Sequence, residues 1–388
     1  MAETSTANQL AGGLVSTPSA PLRKPEFSEL PVTPEGITAS WLSSVLGVKI
    51  KSIEITKIIW GTASKVLVTI TYDDDGDDGD GTKDARQAVD RPTHICIKGT
   101  FDPSFVQQAP FMIAVYQREV DFFNLLAPKL DHIELPRVLW AGHTPQQGIV
   151  IMEDLAARGL VFCDTKLDWP VARVLEGVEQ LAALHAKTWG AEPADYPWAT
   201  SSYEVALLAL VQHYDAIIHS PGRVAIPESL QSQARVEAAM RKAYRYTNPK
   251  FRCIVHGDAH IGNTYLAEGG RPRFIDFQLA MIRSAFHDVS YFVSGALSVA
   301  DRRAHEWEIV DHYLATLHKL GGPSFSSQDE EVRTEYRMSM IVGIGWLICP
   351  TSFQSLDMIN PMCTRHATAL DDHKTLELIE SPPEVYKW

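Results

Sequence analysis

The chain has 388 residues, of which 45% are hydrophobic and 21% charged, so it is long enough for one large two-lobed unit or two domains with a sizeable core. Its 35 Lys and Arg residues and 48 Asp and Glu residues give a net charge of −13, which argues against nonspecific nucleic-acid binding and against a polybasic membrane contact. The five cysteines are scattered without a C-x-x-C pair, the sequence contains no apolar run of spanning length, and its first residues do not predict a secretory leader. We therefore expect a cytoplasmic protein without disulfides or a membrane span.

The N-terminal region combines an unpatterned stretch with one well-marked helix. Residues 1–30 are rich in Ala, Ser, Thr, Pro and Gly without periodicity, which predicts a disordered tail. Thr38 is placed to cap a helix over residues 39–46, and Gly47 is placed to end it. Ordered structure is therefore expected to begin near Pro34.

Runs rich in β-branched and apolar residues follow, and they predict the strands of a sheet. The predicted strands cover residues 51–60, 65–72, 93–98, 136–140 and 148–152. Residues 73–91 are rich in Asp and Gly, but Gly falls on ligand positions of an EF-hand, so we interpret them as a flexible, solvated hairpin insertion. A helical periodicity over residues 109–126 lies between the third and fourth strands.

The second half of the chain has a different pattern. From Trp169 onward it is mostly helical, as in the amphipathic stretch at residues 174–189. A β-rich first part and an α-rich second part predict a bilobal α+β fold. We place an N-lobe with an antiparallel sheet and one main helix at residues 31–155, and a mostly α-helical C-lobe at residues 156–388.

One short segment of the second half brings together the residue types that phosphoryl transfer needs. Asp258 and Asn263 lie on one tight loop, and a predicted hairpin over residues 264–275 returns the chain so that Asp276 reaches the same end. A loop Asp can take the proton of an acceptor hydroxyl, and Asn and Asp oxygens are ligands suited to magnesium. The D-x-x-x-x-N spacing equals that of the protein-kinase catalytic loop, and Asp276 with the Phe after it corresponds to the start of the metal-binding D-F-G.

These motifs resemble those of the aminoglycoside phosphotransferase and choline kinase superfamily. The segments V-H-G-D-A-H-I-G-N at 255–263, F-I-D-F-Q at 274–278 and H-D-V-S-Y-F at 287–292 are most similar to its choline/ecdysteroid-kinase-like branch. The resemblance implies a protein-kinase-like bilobal fold, with ATP as phosphoryl donor and Mg²⁺ as cofactor. It also implies a small-molecule alcohol as acceptor: an amino alcohol, an aminoglycoside, a sterol-like compound or a specialised metabolite.

The same resemblance assigns nucleotide-binding roles in the N-lobe. Lys98, at the end of a strand, is expected to hold the ATP phosphates, and Glu119, on the next helix, is expected to position Lys98. The loop after the first strand, which has a single glycine, is expected to contact phosphate, and the lobe connection is expected to contact adenine through its backbone. The residues concerned are Gly61, Thr62 and Ser64 in the loop and Glu153 and Leu155 in the connection.

In the C-lobe, the resemblance makes Asp258 the catalytic base, Asn263 and Asp276 the metal ligands, and His256 and Asp288 structural supports. The sequence thus predicts an ATP-dependent kinase that phosphorylates a hydroxyl group of a small molecule. A catalytically silent pseudokinase stays open as an alternative, although the intact set of Asp258, Asn263 and Asp276 disfavours it. A protein kinase is also open but disfavoured, because H-G-D and D-F-Q stand where H-R-D and D-F-G are expected and no A-P-E segment follows.

Overall fold

The computed structural model of the chain describes residues 29–73, 91–200, 204–384 and 386. The predicted N-terminal tail, apart from its last two residues, and the predicted Asp-rich insertion, apart from its two ends, lie outside the described residues. Within the described ranges, no helix is long and apolar enough to cross a membrane. The five cysteines are all free, as predicted.

The first part of the chain folds around a five-stranded antiparallel sheet with the strand order β1-β2-β3-β5-β4. The strands are β1 (Ile50–Ile59), β2 (Ser64–Tyr72), β3 (His94–Gly99), β4 (Val138–Thr144) and β5 (Gln147–Glu153). Helix α1 (Ala39–Leu46) precedes them, and the Thr38 side chain accepts a hydrogen bond from the Trp41 N–H at its start. Gly47 ends the helix in the left-handed conformation, with φ 67°, as predicted.

The two faces of this sheet have different neighbours because strand side chains alternate between them. On β3, Ile95 and Ile97 belong to a core cluster with Leu42 of α1. Lys98, which alternation places on the other face, contacts the helix that carries Glu119. The alternation of a single strand thus separates a hydrophobic face from a face that carries a buried charge.

The region after β3 differs from the predicted single helix over residues 109–126. Two helices stand there, α2 (Pro103–Gln108) and α3 (Met112–Asp121), and a π-helical turn (Phe122–Leu126) continues the second. The predicted start was wrong because Ala109 precedes Pro110, and a residue before proline is disfavoured in the helical conformation. Ala109 has φ −132° and ψ 64°, so the first helix ends and the chain restarts at Met112.

The second part of the chain is mostly helical. Its helices are α4 (Val171–Thr188), α5 (Glu204–Leu210), α6 (Tyr214–Ile218), α7 (Gln233–Tyr244), α8 (Phe286–Ala296), α9 (Val299–Lys319), α10 (Glu330–Ser339), α11 (Ile344–Leu347), α12 (Leu356–Asp372) and α13 (Thr375–Glu380). Short strands are inserted among them: β6 (Val161–Phe162), β7 (Arg252–Val255), β8 (Thr264–Leu266), β9 (Pro272–Phe274) and β10 (Met281–Ser284). The antiparallel sheet of the first part and the helices of the second confirm the predicted bilobal α+β class, whereas the exact domain boundary stays a prediction.

The small strands position the functional loops. Strand β7 pairs with β10, and β8 pairs with β9 as the predicted hairpin. Just past β9, the Ile275 N–H donates to the Asn263 carbonyl at 2.9 Å. The chain ends that carry Asp258, Asn263 and Asp276 are therefore held side by side.

Candidate active site

A tight loop after β7 presents Asp258. Gly257 has φ 85°, and a Cβ atom there would lie 2.1 Å from the Leu279 carbonyl oxygen, so only glycine fits without movement of the backbone. The Asp288 carboxylate, fully buried on α8, accepts the backbone N–H of His256 at 2.6 Å and of Gly257 at 3.0 Å. These contacts fix the loop on the C-lobe helices.

His256 links this loop to the strand that carries Asp276. Its Nδ1 accepts the Asp258 N–H at 3.2 Å, so Nε2 carries the proton and donates to the Ile275 carbonyl at 2.9 Å. Burial lowers the pKa of the imidazole, which favours this neutral form. His256 therefore holds the loop in place as a neutral ring.

The Asp258 carboxylate is partly exposed at the bottom of a cleft and is surrounded by hydrogen-bond donors. The Asn263 Nδ2 donates to its Oδ2 at 3.0 Å, and the Tyr291 hydroxyl is 3.4 Å from its Oδ1. The His260 Nδ1 accepts the Gly262 N–H, so its protonated Nε2 faces Asp258 Oδ2 at 3.7 Å. Burial alone would raise the pKa of Asp258, but the neighbouring His260 outweighs it and lowers the pKa, so the carboxylate is ionised and can accept a proton.

Across the cleft, Asp276 forms a buried ionic cluster with two N-lobe residues. The Lys98 Nζ is 2.7 Å from a Glu119 carboxylate oxygen and 2.6 Å from Asp276 Oδ1. Burial would lower the pKa of Lys98, but the two carboxylates raise it, so the ammonium stays charged. Burial raises the pKa of Glu119, whereas Lys98 outweighs burial at Asp276 and lowers its pKa. The side chains of residues 98, 119 and 276 thus form one contact between the two parts of the chain.

Two further features aim Asp276 at the cleft. Its backbone is left-handed, with φ 70°, a conformation that is uncommon for residues other than glycine but that aspartate adopts more readily than most. The next residue, Phe277, stacks on Phe122 with ring centroids 4.1 Å apart and an angle of 7° between the ring planes. The loop that carries Asp276 is therefore fixed against the end of the helix that carries Glu119.

One cavity of about 1020 Å³ joins these groups. It runs from the loop between β1 and β2 past Asp258, Asn263 and Asp276 to the helices of the C-lobe. Gly61 and Thr62 of the predicted phosphate-contacting loop line this cavity. The predicted phosphate-contacting loop and the C-lobe helices therefore line one continuous cavity.

Five predicted nucleotide-binding residues are not among the described lining residues of this cavity: Lys98, Glu119, Ser64, Glu153 and Leu155. Lys98 and Glu119 are buried in the ionic cluster, at 3% and 2% exposure. Ser64 is buried at the start of β2. Glu153 ends β5 with its carboxylate paired to Arg137 and Arg158, and Leu155 is buried with its carbonyl accepting the Leu160 N–H. The roles of these residues stay predictions.

Sequence reasoning missed three residues that belong to this site. Lys65 lies directly opposite Lys98 in the pairing of β2 with β3, and it lines the cavity. Tyr291 reaches Asp258 from α8, and His185 on α4 contacts the buried Asp288 at 3.1 Å. The strand register was a usable signal for Lys65, whereas the other two contacts arise only from helix packing.

The side-chain oxygens of Asn263 and Asp276 are of the kind that binds a magnesium ion. The Asn263 Nδ2 donates hydrogen bonds to the Asp258 carbonyl and carboxylate, which leaves the amide oxygen of Asn263 available as a metal ligand. Asp276 adds a carboxylate, and Mg²⁺ in phosphoryl-transfer sites is held by one or two such groups together with substrate phosphates. Among the described residues, no group of three or more His, Cys, Asp or Glu side chains could hold a metal ion. The roles of Asn263 and Asp276 as metal ligands stay predictions.

Comparison with known proteins identifies a family resemblance in the same region. The ecdysteroid kinase-like family model matches residues 196–321, which include the loop of Asp258, the Asp276 segment and Asp288. This match confirms the predicted resemblance to kinase-like proteins over that part of the chain. No curated protein matches the chain significantly.

Among solved structures, the chain is similar to several small-molecule kinases. One is a choline kinase from Cryptosporidium parvum, at 12% identity and a TM-score of 0.46, covering 84% of this chain and 90% of that one. Another is the choline kinase LicA from Streptococcus pneumoniae, at 14% identity and a TM-score of 0.45, covering 86% and 97%. A third is an ethanolamine kinase from Plasmodium vivax, at 15% identity and a TM-score of 0.45, covering 83% and 81%.

Proposed function

We propose that the protein is an ATP-dependent kinase that transfers the γ-phosphoryl group to a hydroxyl of a small-molecule acceptor. The observation that carries this proposal is the cavity lined by both Asp258 and Asp276, because Asp276 is bound to the buried Lys98 and through it to Glu119. Phosphoryl transfer needs little covalent chemistry from the protein, but it needs an oriented acceptor and opposed positive charge. The two sides of this cleft supply those two requirements.

In the proposed reaction, Asp258 accepts a hydrogen bond from the acceptor hydroxyl and takes its proton. The acceptor oxygen forms a bond to the γ-phosphorus as the bond from phosphorus to the ADP oxygen breaks, so ADP leaves with the electron pair. Lys98 compensates the charge of the ATP phosphates, and Glu119 keeps Lys98 in place. A Mg²⁺ ion held by Asn263 and Asp276 would supply further charge neutralisation at the phosphates.

The cavity beyond Asp258 favours an acceptor with a large apolar body over a small cation. Phe353 lines this C-lobe side of the cavity and is 51% exposed, whereas Trp60 and Phe111 line the N-lobe side. The C-lobe lining also includes Leu207, Leu210, Ile341, Val342 and Met358. Of the carboxylates on the helices that line this part, Glu204 is paired with Arg283, and burial raises the pKa of Glu335, which favours its neutral form.

The decisive experiment is magnesium-dependent ADP release with a pooled alcohol library, in wild type, Asp258→Asn and Asp164→Asn. Asp164 is a partly exposed aspartate that lines the same cavity, so it is the matched control. We expect acceptor-stimulated turnover to fall about a thousandfold in Asp258→Asn and to persist in Asp164→Asn. Stronger stimulation by apolar alcohols than by choline or ethanolamine would support the proposed acceptor class.

Two results would contradict the proposal. Tight MgATP binding without turnover for any acceptor pool would favour the pseudokinase. Equal turnover in Asp258→Asn and wild type would remove Asp258 as the base.

A further inference from the structure

A second concave site lies on the opposite side of α10 from the main cavity. Glu335 and Met338 of this helix line the main cavity, whereas Arg333 and Arg337 line a separate pocket of about 440 Å³. Residues four apart share one helix face, and a residue two positions away lies nearly opposite. One helix therefore separates the two spaces.

The second pocket carries an excess of positive charge. Four arginines line it, Arg302, Arg303, Arg333 and Arg337, against two carboxylates, Glu306 and Asp372, so that 4 − 2 leaves two positive charges. Such an excess is unusual on a chain whose net charge is −13. Local concentration of cationic groups in a concave site attracts anions.

Both carboxylates are already engaged by other groups. Glu306 accepts from Arg302 at 3.0 Å and contacts His373 Nε2 at 2.9 Å. Asp372 accepts from Arg302, and it accepts two hydrogen bonds from Arg303 at 2.8 and 2.9 Å. The unbalanced charge therefore resides on the other two arginines.

Arg333 and Arg337 are held in place without a counter-ion. Arg333 lies over the Trp307 ring at 3.9 Å and donates to the Ser327 carbonyl, and Arg337 donates twice to the His373 carbonyl. Among the described residues, no carboxylate lies within 4.0 Å of either guanidinium. Each guanidinium has five N–H donors, and these contacts engage only some of them, so both arginines have donors left for a ligand.

The buried arginine of the pocket also has an unused donor. Arg302 is only 1% exposed, and within the described part of the chain its Nε has no hydrogen-bond partner. A buried donor without a partner costs free energy. Oriented guanidinium groups with spare donors match the oxygens of a phosphate group, which accepts forked hydrogen bonds.

We propose that this pocket binds a phosphate-type dianion, either free phosphate or the phosphoryl group of a small phosphomonoester. Because α10 also lines the main cavity, the bound anion would be separated from the acceptor space by a single helix. The proposal does not rest on the proposed kinase activity.

The test is calorimetric titration of the full chain with inorganic phosphate at constant ionic strength, in wild type and three variants. Arg333→Gln and Arg337→Gln each remove one unpaired guanidinium from a partly exposed position. Arg241→Gln is the matched control, because it removes an exposed arginine that pairs with Glu237 on another helix. We expect Kd to rise about tenfold or more in each pocket variant and to stay unchanged in the control.

Each outcome decides the proposal. Two results overturn it: no phosphate binding to wild type, or equal affinity in wild type and both pocket variants. The second result would mean that phosphate binds away from Arg333 and Arg337. Arg333→Lys keeps the positive charge but loses the paired N–H donors of the guanidinium. This variant should therefore bind phosphate more weakly than wild type and more tightly than Arg333→Gln. A parallel titration with glycerol 2-phosphate separates the two sources: tighter binding than phosphate indicates a phosphomonoester, and weaker binding indicates the free anion.

Discussion

The two sides of the candidate active site hold their functional groups by different means. On the N-lobe side, Lys98 is held by two carboxylates in a buried ionic cluster. On the C-lobe side, the Asp288 carboxylate is satisfied by two backbone N–H groups and by His185, and Asp258 is oriented by neutral donors around it. One side depends on charge pairing and the other on hydrogen bonds within a fixed loop.

This difference indicates which side is able to change when ligands bind. Removing one partner of a buried ion pair strongly destabilises the protein, because the other charge is left buried and unpaired. A partner can, however, be exchanged for another group with a charge of the same sign. A phosphate group can replace a carboxylate beside Lys98, whereas nothing in a substrate replaces the backbone contacts of Asp288. We therefore expect the ionic side to rearrange and the hydrogen-bonded side to stay fixed.

The largest effect is expected from a substitution that breaks the ionic side of the site. Lys98→Met leaves Glu119 and Asp276 close together without their cation, so we expect a loss of about 3 kcal/mol or more in the free energy of unfolding. Turnover should fall about a thousandfold, because the phosphates lose their buried cation. Urea denaturation and ADP release measure the two effects.

Lys65→Met is the control for this variant, since Lys65 stands opposite Lys98 in the sheet but is partly exposed and forms no ion pair with the described residues. Its free energy of unfolding should change by less than about 0.5 kcal/mol. A similar loss of stability in both variants would contradict the special role of the buried cluster.

A smaller effect is expected when the fixed loop is disturbed. Gly257→Ala adds a left-handed alanine and a Cβ atom 2.1 Å from the Leu279 carbonyl oxygen, so the loop must move. We expect a loss of about 2–3 kcal/mol in the free energy of unfolding, and a fall in turnover of about a hundredfold because Asp258 is displaced.

Gly269→Ala separates the two causes. Gly269 has φ 78°, but nothing lies within 4 Å of the added Cβ atom, so only the backbone cost of about 1 kcal/mol applies. Equal losses in the two variants, measured by urea denaturation, would mean that the contact with Leu279 is unimportant.

The smallest expected effect concerns the neutral histidines of the C-lobe. Burial, with help from the nearby Arg365, lowers the pKa of His366 to about 3, whereas an unfolded histidine has its ordinary pKa near 6.5. Between these values the unfolded chain binds the additional proton, so the folded state loses stability as the pH falls, by up to about 1.4 kcal/mol per pH unit.

The comparison of His366→Phe with wild type tests this pH dependence. Phenylalanine keeps a ring against Tyr291, which stacks on His366, but it cannot take up a proton. We expect the free energy of unfolding of the variant to fall less than that of wild type between pH 7 and pH 4.5. His305→Asn, at a partly exposed position, is the control variant, and a parallel fall in all three proteins would contradict the assignment to His366.

Much of the site was accessible from sequence because its parts are local or lie in a fixed order. Asp258 and Asn263 are five residues apart, and the hairpin between Asn263 and Asp276 has its own turn signals. Lys98 and Glu119 follow each other as strand and helix, and the structure brings their side chains into contact. Short-range patterns of this kind can be recognised in the sequence without knowledge of the tertiary fold.

Other parts of the site could not be predicted because they depend on packing between distant segments. Tyr291 contacts Asp258 across 33 residues, and His185 contacts Asp288 across 103 residues. The acceptor side of the cavity combines helices from several regions, and no single periodicity reports which faces converge. The missed boundary at Ala109 was different, since the Pro110 that follows it was a local signal that the periodicity outweighed.

The stack of Phe122 on Phe277 has a mechanical consequence. Phe277 also lies against the His256 ring, with centroids 4.7 Å apart, so its ring stands between the end of the N-lobe helix and the loop of the C-lobe. Both phenylalanines are fully buried, and pulling them apart would expose two aromatic faces to water. A rotation of one lobe against the other is therefore expected to keep this contact closed and to use it as its pivot, so that the mouth of the cavity widens while the two rings stay together.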